Sequence, residues 1–76
     1  MPVTSFIVES LPGAAAMTGE ALATLAGVSV YGVKDEKIVT VIEGESPAAI
    51  DSIMRQVQAL ESVIGVYPVY AGGYEE

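Results

Sequence analysis

Carboxylates and hydroxyls are the only side chains here that could do chemistry. The 76-residue chain has no histidine and no cysteine. Their absence removes the commonest general base, the thiolate nucleophile and the usual zinc ligands. Glu43 and Glu45 are close in sequence, but they precede a predicted helix, where solvated acids suit the positive end of the helix dipole. A hard-metal site there is the less economical reading. Ser10, Ser46 and Ser62 have no basic partner nearby in sequence to activate a hydroxyl. The run Gly13-Ala14-Ala15-Ala16-Met17-Thr18-Gly19-Glu20 lacks the lysine and the spacing of a phosphate-binding loop. No enzyme, metal or cofactor is expected, and the function has to be sought in binding.

Ten acids against Lys34, Lys37 and Arg55 give a net charge of −7. Such a surface repels nucleic-acid phosphates and attracts a basic ligand. It also serves simply to keep a chain that is 51% hydrophobic in solution. Residues 1–33 carry neither Lys nor Arg, so the basic segment of a secretory signal is missing. The apolar stretch from Leu11 to Val33 is broken by Pro12, four glycines and Glu20, which argues against a transmembrane span. A cysteine-free chain suits a reducing compartment, and a cytoplasmic protein without stable membrane insertion is expected.

The elements follow from periodicity. Lys37-Ile38-Val39-Thr40-Val41-Ile42-Glu43 places five β-favouring residues between two charges and predicts a short, largely buried strand. Ile38, Thr40 and Ile42 share one face, Val39 and Val41 the other. Before it, Thr4 to Ser10 alternates as a first strand, with Phe6 and Val8 inward and Ser5, Ile7 and Glu9 outward. Leu11-Pro12-Gly13 turns the chain into a helix over about 14–25, with Gly27 placed to cap it. Val28 to Val33 is a second strand, joined to the third through the charged turn Lys34-Asp35-Glu36-Lys37. Ser46-Pro47 starts a second helix reaching about Leu60, with an Ile50, Ile53, Met54, Val57, Leu60 stripe. A last strand, Val63 to Ala71, contains Pro68 and so belongs at a sheet edge.

The order β-α-β-β-α-β predicts a single ferredoxin-like α+β domain over residues 1–71, followed by a flexible acidic tail over 72–76. Right-handed crossovers put both helices on one side of a four-stranded antiparallel sheet, in the order 4-1-3-2. A regular hairpin pairs Val33 with Ile38, Tyr31 with Thr40 and Val30 with Val41. On that register the helices cover Phe6, Val8, Val30, Val39, Val41 and Val66. The uncovered face then shows Ile7, Tyr31, Val33, Ile38, Thr40 and Ile42, with Tyr67 and Val69, bordered by Glu9, Asp35, Glu36 and Glu43. A contiguous apolar face of this kind marks an interaction site. A partner could cover it, or a second copy stacked face to face as a homodimer.

Several pieces of the chain resemble the NapD family of small cytoplasmic chaperones. They are Ser5-Phe6-Ile7-Val8, Leu25-Ala26-Gly27-Val28-Ser29-Val30, the strand from Lys37 to Glu43, and Val63-Ile64-Gly65-Val66-Tyr67-Pro68-Val69-Tyr70 with an acidic tail. Ala71 stands where that family often has a histidine. The resemblance implies binding of the twin-arginine signal peptide of the periplasmic nitrate reductase catalytic subunit, as a helix on the open sheet. It further implies that export is held back until the molybdenum cofactor is inserted. Ile7, Tyr31, Val33, Ile38, Thr40 and Ile42 would then floor the site, with Glu9, Asp35, Glu36 and Glu43 bordering it and steering the arginines. The topology is shared with amino-acid-binding regulatory domains of the ACT type, whose glycine-bearing first loop Leu11-Pro12-Gly13 resembles. That is the alternative reading.

Overall fold

The computed structural model describes residues 2–69. The expected acidic tail at 72–76, and the ends of the expected 1–71 domain, lie outside the described residues. The elements are β1 (Val3–Ser10), α1 (Ala15–Ala23), β2 (Val28–Lys34), β3 (Lys37–Glu43), α2 (Pro47–Gln58) and β4 (Val63–Pro68). They form one antiparallel sheet in the order β2-β3-β1-β4, the expected ferredoxin-like arrangement.

Local chemistry explains the helix ends. The Ser46 hydroxyl accepts from the Ala49 N–H at 3.1 Å and Pro47 takes the first helical position, so one orphan amide is satisfied and one is absent. From there Ile50, Ile53, Met54 and Val57 present one apolar stripe to the sheet. The Asp51–Arg55 pair on the outer side, 3.0 Å apart and well exposed, adds at most about 0.5 kcal/mol. Helix α1 is shorter than expected and ends at Ala23, where the Thr24 hydroxyl bonds back to the Ala21 carbonyl at 2.7 Å. Gly27 is not its cap. It has φ +82°, and a Cβ there would stand 2.5 Å from the Glu43 carbonyl oxygen, so it serves the close passage of two backbones at the start of the β2–β3 ladder.

The core is Val8, Leu22, Val28, Ile38, Ile42 and Val57, surrounded by Phe6, Leu25, Val30, Ile53 and Met54 among others. Strand β3 therefore turns Ile38, Thr40 and Ile42 toward the helices, the reverse of the expected pleat. The cause is an irregularity in the hairpin. Val33 pairs with Ile38 as expected, but the register shifts between Val30 and Gly32, so that Val30 pairs with Thr40 and Val28 with Ile42. Tyr31 is the extra residue of a bulge. Such an insertion exchanges the faces of everything beyond it.

Buried polar atoms are few and partnered. Thr18 on α1 and Ser62 before β4 join hydroxyls at 2.6 Å, while the Thr40 hydroxyl reaches only the Ile38 carbonyl at 3.3 Å. Among the described residues, no buried side-chain nitrogen or oxygen lacks a partner.

Two glycines with opposite demands test this description. A Cβ on Gly19, inside α1, would meet only Val33 Cγ2 at 3.9 Å, an ordinary contact. Gly19→Ala should therefore raise stability by about 0.5–1 kcal/mol, a rise of several degrees in Tm. Gly27→Ala should lower it by at least about 1–2 kcal/mol, through left-handed strain and the clash with Glu43. Thermal melts of the two variants check the signs.

Candidate functional site

Helices cover one side of the sheet, and the pleat fixes what the other side shows. Cross-strand register places Lys37 beside Glu9 and Glu9 beside Gly65. The next open-face row is Gly32, Val39, Ile7 and Tyr67. Beyond it come Ser29, Val41 and Ser5, with the Val69 N–H donating to the Ser5 carbonyl at 2.9 Å. The last row is Glu43 beside Val3. The middle of the face is thus apolar, its ends carry charge, and the serines Ser29 and Ser5 stand on either side of Val41. Val39 is 40% exposed and Tyr67 52%, while Ile7 and Val41 are half-buried by their neighbours.

Tyr67 has a specific support. A Cβ on Gly65 would lie 2.6 Å from the Tyr67 hydroxyl oxygen and 2.9 Å from two ring carbons. The ring therefore lies along β4 over bare glycine backbone, flattening the face. Beside it β4 has its own irregularity, since Glu9 pairs with Gly65 but Ser10 with Val63, leaving Ile64 unpaired.

The structure separates the residues expected in the site. Ile7, Glu9 and Glu43 are on the open face, as expected. Ile38, Thr40 and Ile42 are not: each is 0% exposed, and all three face the helices because of the bulge. Val33 pairs with Ile38 and approaches Gly19 of α1, so it too belongs to the helix side. Tyr31 is 72% exposed, in the bulge at the β2 edge rather than in the regular rows. Val39 and Val41, expected beneath the helices, form the centre of the face instead, and Lys37 joins them. A signal for this was present. Lys37, Val39, Val41 and Glu43 alternate in phase, and the face that carries the charges is the face that meets water.

A second concavity of about 390 Å³ lies between α1 and the α2–β4 connection, lined by Leu11, Met17, Ala21 and Leu60 with Glu61 and Ser62. Its one hydroxyl is already bonded to Thr18. Among the described residues no three acids gather as a metal site, and no helix is long and apolar enough to cross a membrane.

These features define a ferredoxin-like α+β domain with one apolar sheet face left uncovered by its own helices. The NapD protein family matches residues 1–73 of the chain. The chain belongs to the NapD family. Among solved structures it is similar to the solution structure of the E. coli Tat proofreading chaperone protein NapD, with a TM-score of 0.86 and 21% identity. That match covers 91% of this chain and 75% of the other. No curated protein matches the chain.

The face assignment predicts opposite outcomes for neighbouring substitutions. Ile38→Asp buries an unpaired carboxylate and should cost more than about 4 kcal/mol, enough to unfold the domain. Val39→Asp exposes its carboxylate and should cost about 1 kcal/mol or less, retaining native circular dichroism. Urea unfolding of both variants checks the assignment.

Proposed function

We propose that this protein is a chaperone that binds a twin-arginine signal peptide on its open sheet face. The client we assign is the catalytic subunit of the periplasmic nitrate reductase. Binding in the cytoplasm would hold back its export until the molybdenum cofactor is inserted. The observation that carries the reading is the apolar row Val39, Ile7 and Tyr67, exposed in a chain of the NapD family. A relative of the same fold is described as a Tat proofreading chaperone. The ligand chemistry matches: a twin-arginine peptide has a basic segment followed by an apolar one, and the face offers apolar side chains with Glu43 at one end. A net charge of −7 draws such a peptide in by long-range attraction.

A second copy is a poorer occupant, since stacking two sheets would bring together two molecules each of charge −7. Amino-acid binding at the Leu11 loop finds little support. The concavity there offers Glu61 for an ammonium group but no cationic or free donor side chain for a carboxylate.

Calorimetric titration with a synthetic signal peptide tests the reading. One-to-one binding is expected, weakening several-fold between about 50 and 500 mM salt. Val39→Asp should weaken it at least about tenfold, roughly 1.4 kcal/mol. Unchanged affinity in Val39→Asp, or heat and dimerisation without peptide, would overturn it.

A further inference from the structure

We propose that the groove between α1 and the α2–β4 connection is a second docking site, which takes a basic amphipathic helix of a separate partner protein. The groove lies on the helix side of the sheet, and the proposal does not depend on what the open face binds.

Helix α1 is apolar outside as well as inside. Of its nine residues the buried ones are Thr18, Gly19 and Leu22, while Met17, its longest apolar side chain, is 62% exposed. Glu20 is its one charged residue. Helix α2 differs, turning Asp51, Arg55, Gln56 and Gln58 to solvent. A helix that is apolar all round belongs under cover, and an exposed methionine adapts readily to a partner's shape.

Both helices rest on the sheet and make few contacts with each other. That spacing leaves the concavity of about 390 Å³, with Met17 and Ala21 on one wall, Leu60 and Glu61 on the other, and Leu11 at its end. Leu11 is itself 44% exposed. The polar groups around it are engaged. The Leu11 carbonyl accepts from the Ala14 N–H, the Leu60 carbonyl from the Val63 N–H and the Ser62 carbonyl from the Leu11 N–H, while Thr18 holds the Ser62 hydroxyl. A small polar ligand would lack groups to orient it, whereas apolar side chains lose nothing there.

Charge selects among apolar occupants. Glu61 stands on one wall and Glu20, one turn from Met17, outside the other, and both are exposed. Asp35 and Glu36 are close to the Leu11 end, since the Glu36 carbonyl accepts from the Ser10 N–H at 2.9 Å. Lys37 is on the open face with Lys34 as its hairpin partner, and Arg55 is paired with Asp51. The described chain starts at the opposite end of the sheet, where the Pro2 carbonyl accepts from the Gly44 N–H. Anionic lipid and nucleic acid are repelled by this rim, as is a second copy of charge −7. A helix with apolar residues at i, i+4 and i+7 and lysines on both flanks fits, filling the groove while its cations meet Glu20 and Glu61. A peptide basic at one end and apolar at the other matches the groove less well, because its acids lie across the width.

A synthetic helix with leucines at i, i+4 and i+7 and flanking lysines, titrated into ¹⁵N-labelled full-length protein, tests the site. Saturable one-to-one binding should shift the amides of Leu11, Met17, Ala21, Leu60 and Glu61 and leave those of Ile7, Val39 and Tyr67 in place. The same helix with glutamates for lysines should bind at least about tenfold more weakly. Met17→Lys, at an exposed position, should keep native circular dichroism and weaken binding of the lysine helix at least about tenfold, while Val39→Asp leaves it unchanged. Shifts centred on the open face, equal binding of the two helices, or unchanged affinity in Met17→Lys overturns the second site without touching the reading of the first. Displacement of the lysine helix from Met17 by a twin-arginine peptide overturns it too, since the two sites would then be one. Dimerisation or anionic vesicles that shift the same amides in the absence of peptide overturn the choice of occupant.

Discussion

Strand β3 is hydrogen-bonded along both edges, to β1 through seven paired residues and to β2 through six. Neither its register nor its pleat can shift without breaking both ladders. Its inner residues Ile38 and Ile42 are fully buried, each contributing about 1.5–3 kcal/mol relative to exposure. A slip of one residue would send both to solvent and drive Lys37 and Glu43 beneath the helices, where unpaired charge is far costlier than the lost apolar contact. The same constraint that builds the core therefore also writes the outer face. With Ile38, Thr40 and Ile42 inside, the sequence Lys37, Val39, Val41, Glu43 has to be outside.

Irregularities are confined to the edge strands. Tyr31 in β2 and Ile64 in β4 are the unpaired residues of two register shifts, and Pro68 removes a donor near the end of β4. Bulges and proline at an edge increase twist and interrupt the row of free amides that another chain could otherwise extend. The middle of the sheet, where β1 and β3 are regular, carries the apolar pair Ile7 and Val39. Gly65 contributes by letting the Tyr67 ring lie flat, so the outermost strand broadens the platform.

Element order, topology and the Ser46-Pro47 helix start were legible in the sequence because each depends on local chemistry: alternation, capping and the fixed hand of crossovers. The inner face of β1 was legible too, since Phe6 and Val8 contrast with Ser5 and Glu9. The face of β3 was not, because both of its sides are aliphatic in the middle and the decision was passed through an assumed regular hairpin. One extra residue at Tyr31 reversed it. Gly32 hinted at the irregularity, as glycine within a strand often marks a bulge, and the charges at both strand ends stated the answer directly. Strand-end charges are a firmer guide to the outer face than a register carried across a turn.

Among the described residues, two helices cover one face of the four strands and no third layer lies on the other. The other face, apolar in its middle, has to be tolerable to water. The composition of that face meets this demand. Its centre uses Val39, Val41 and Ile7, which are neighbours across the strands, and the Tyr67 ring covers the Gly65 backbone. Charges sit at the ends of the rows, where they interrupt an apolar surface without dividing it. The end charges of β3 itself, Lys37 and Glu43, are of opposite sign and both face water. The inner residues of that one alternating strand fix which side of β3 the core receives, and with it the side on which the end charges stand.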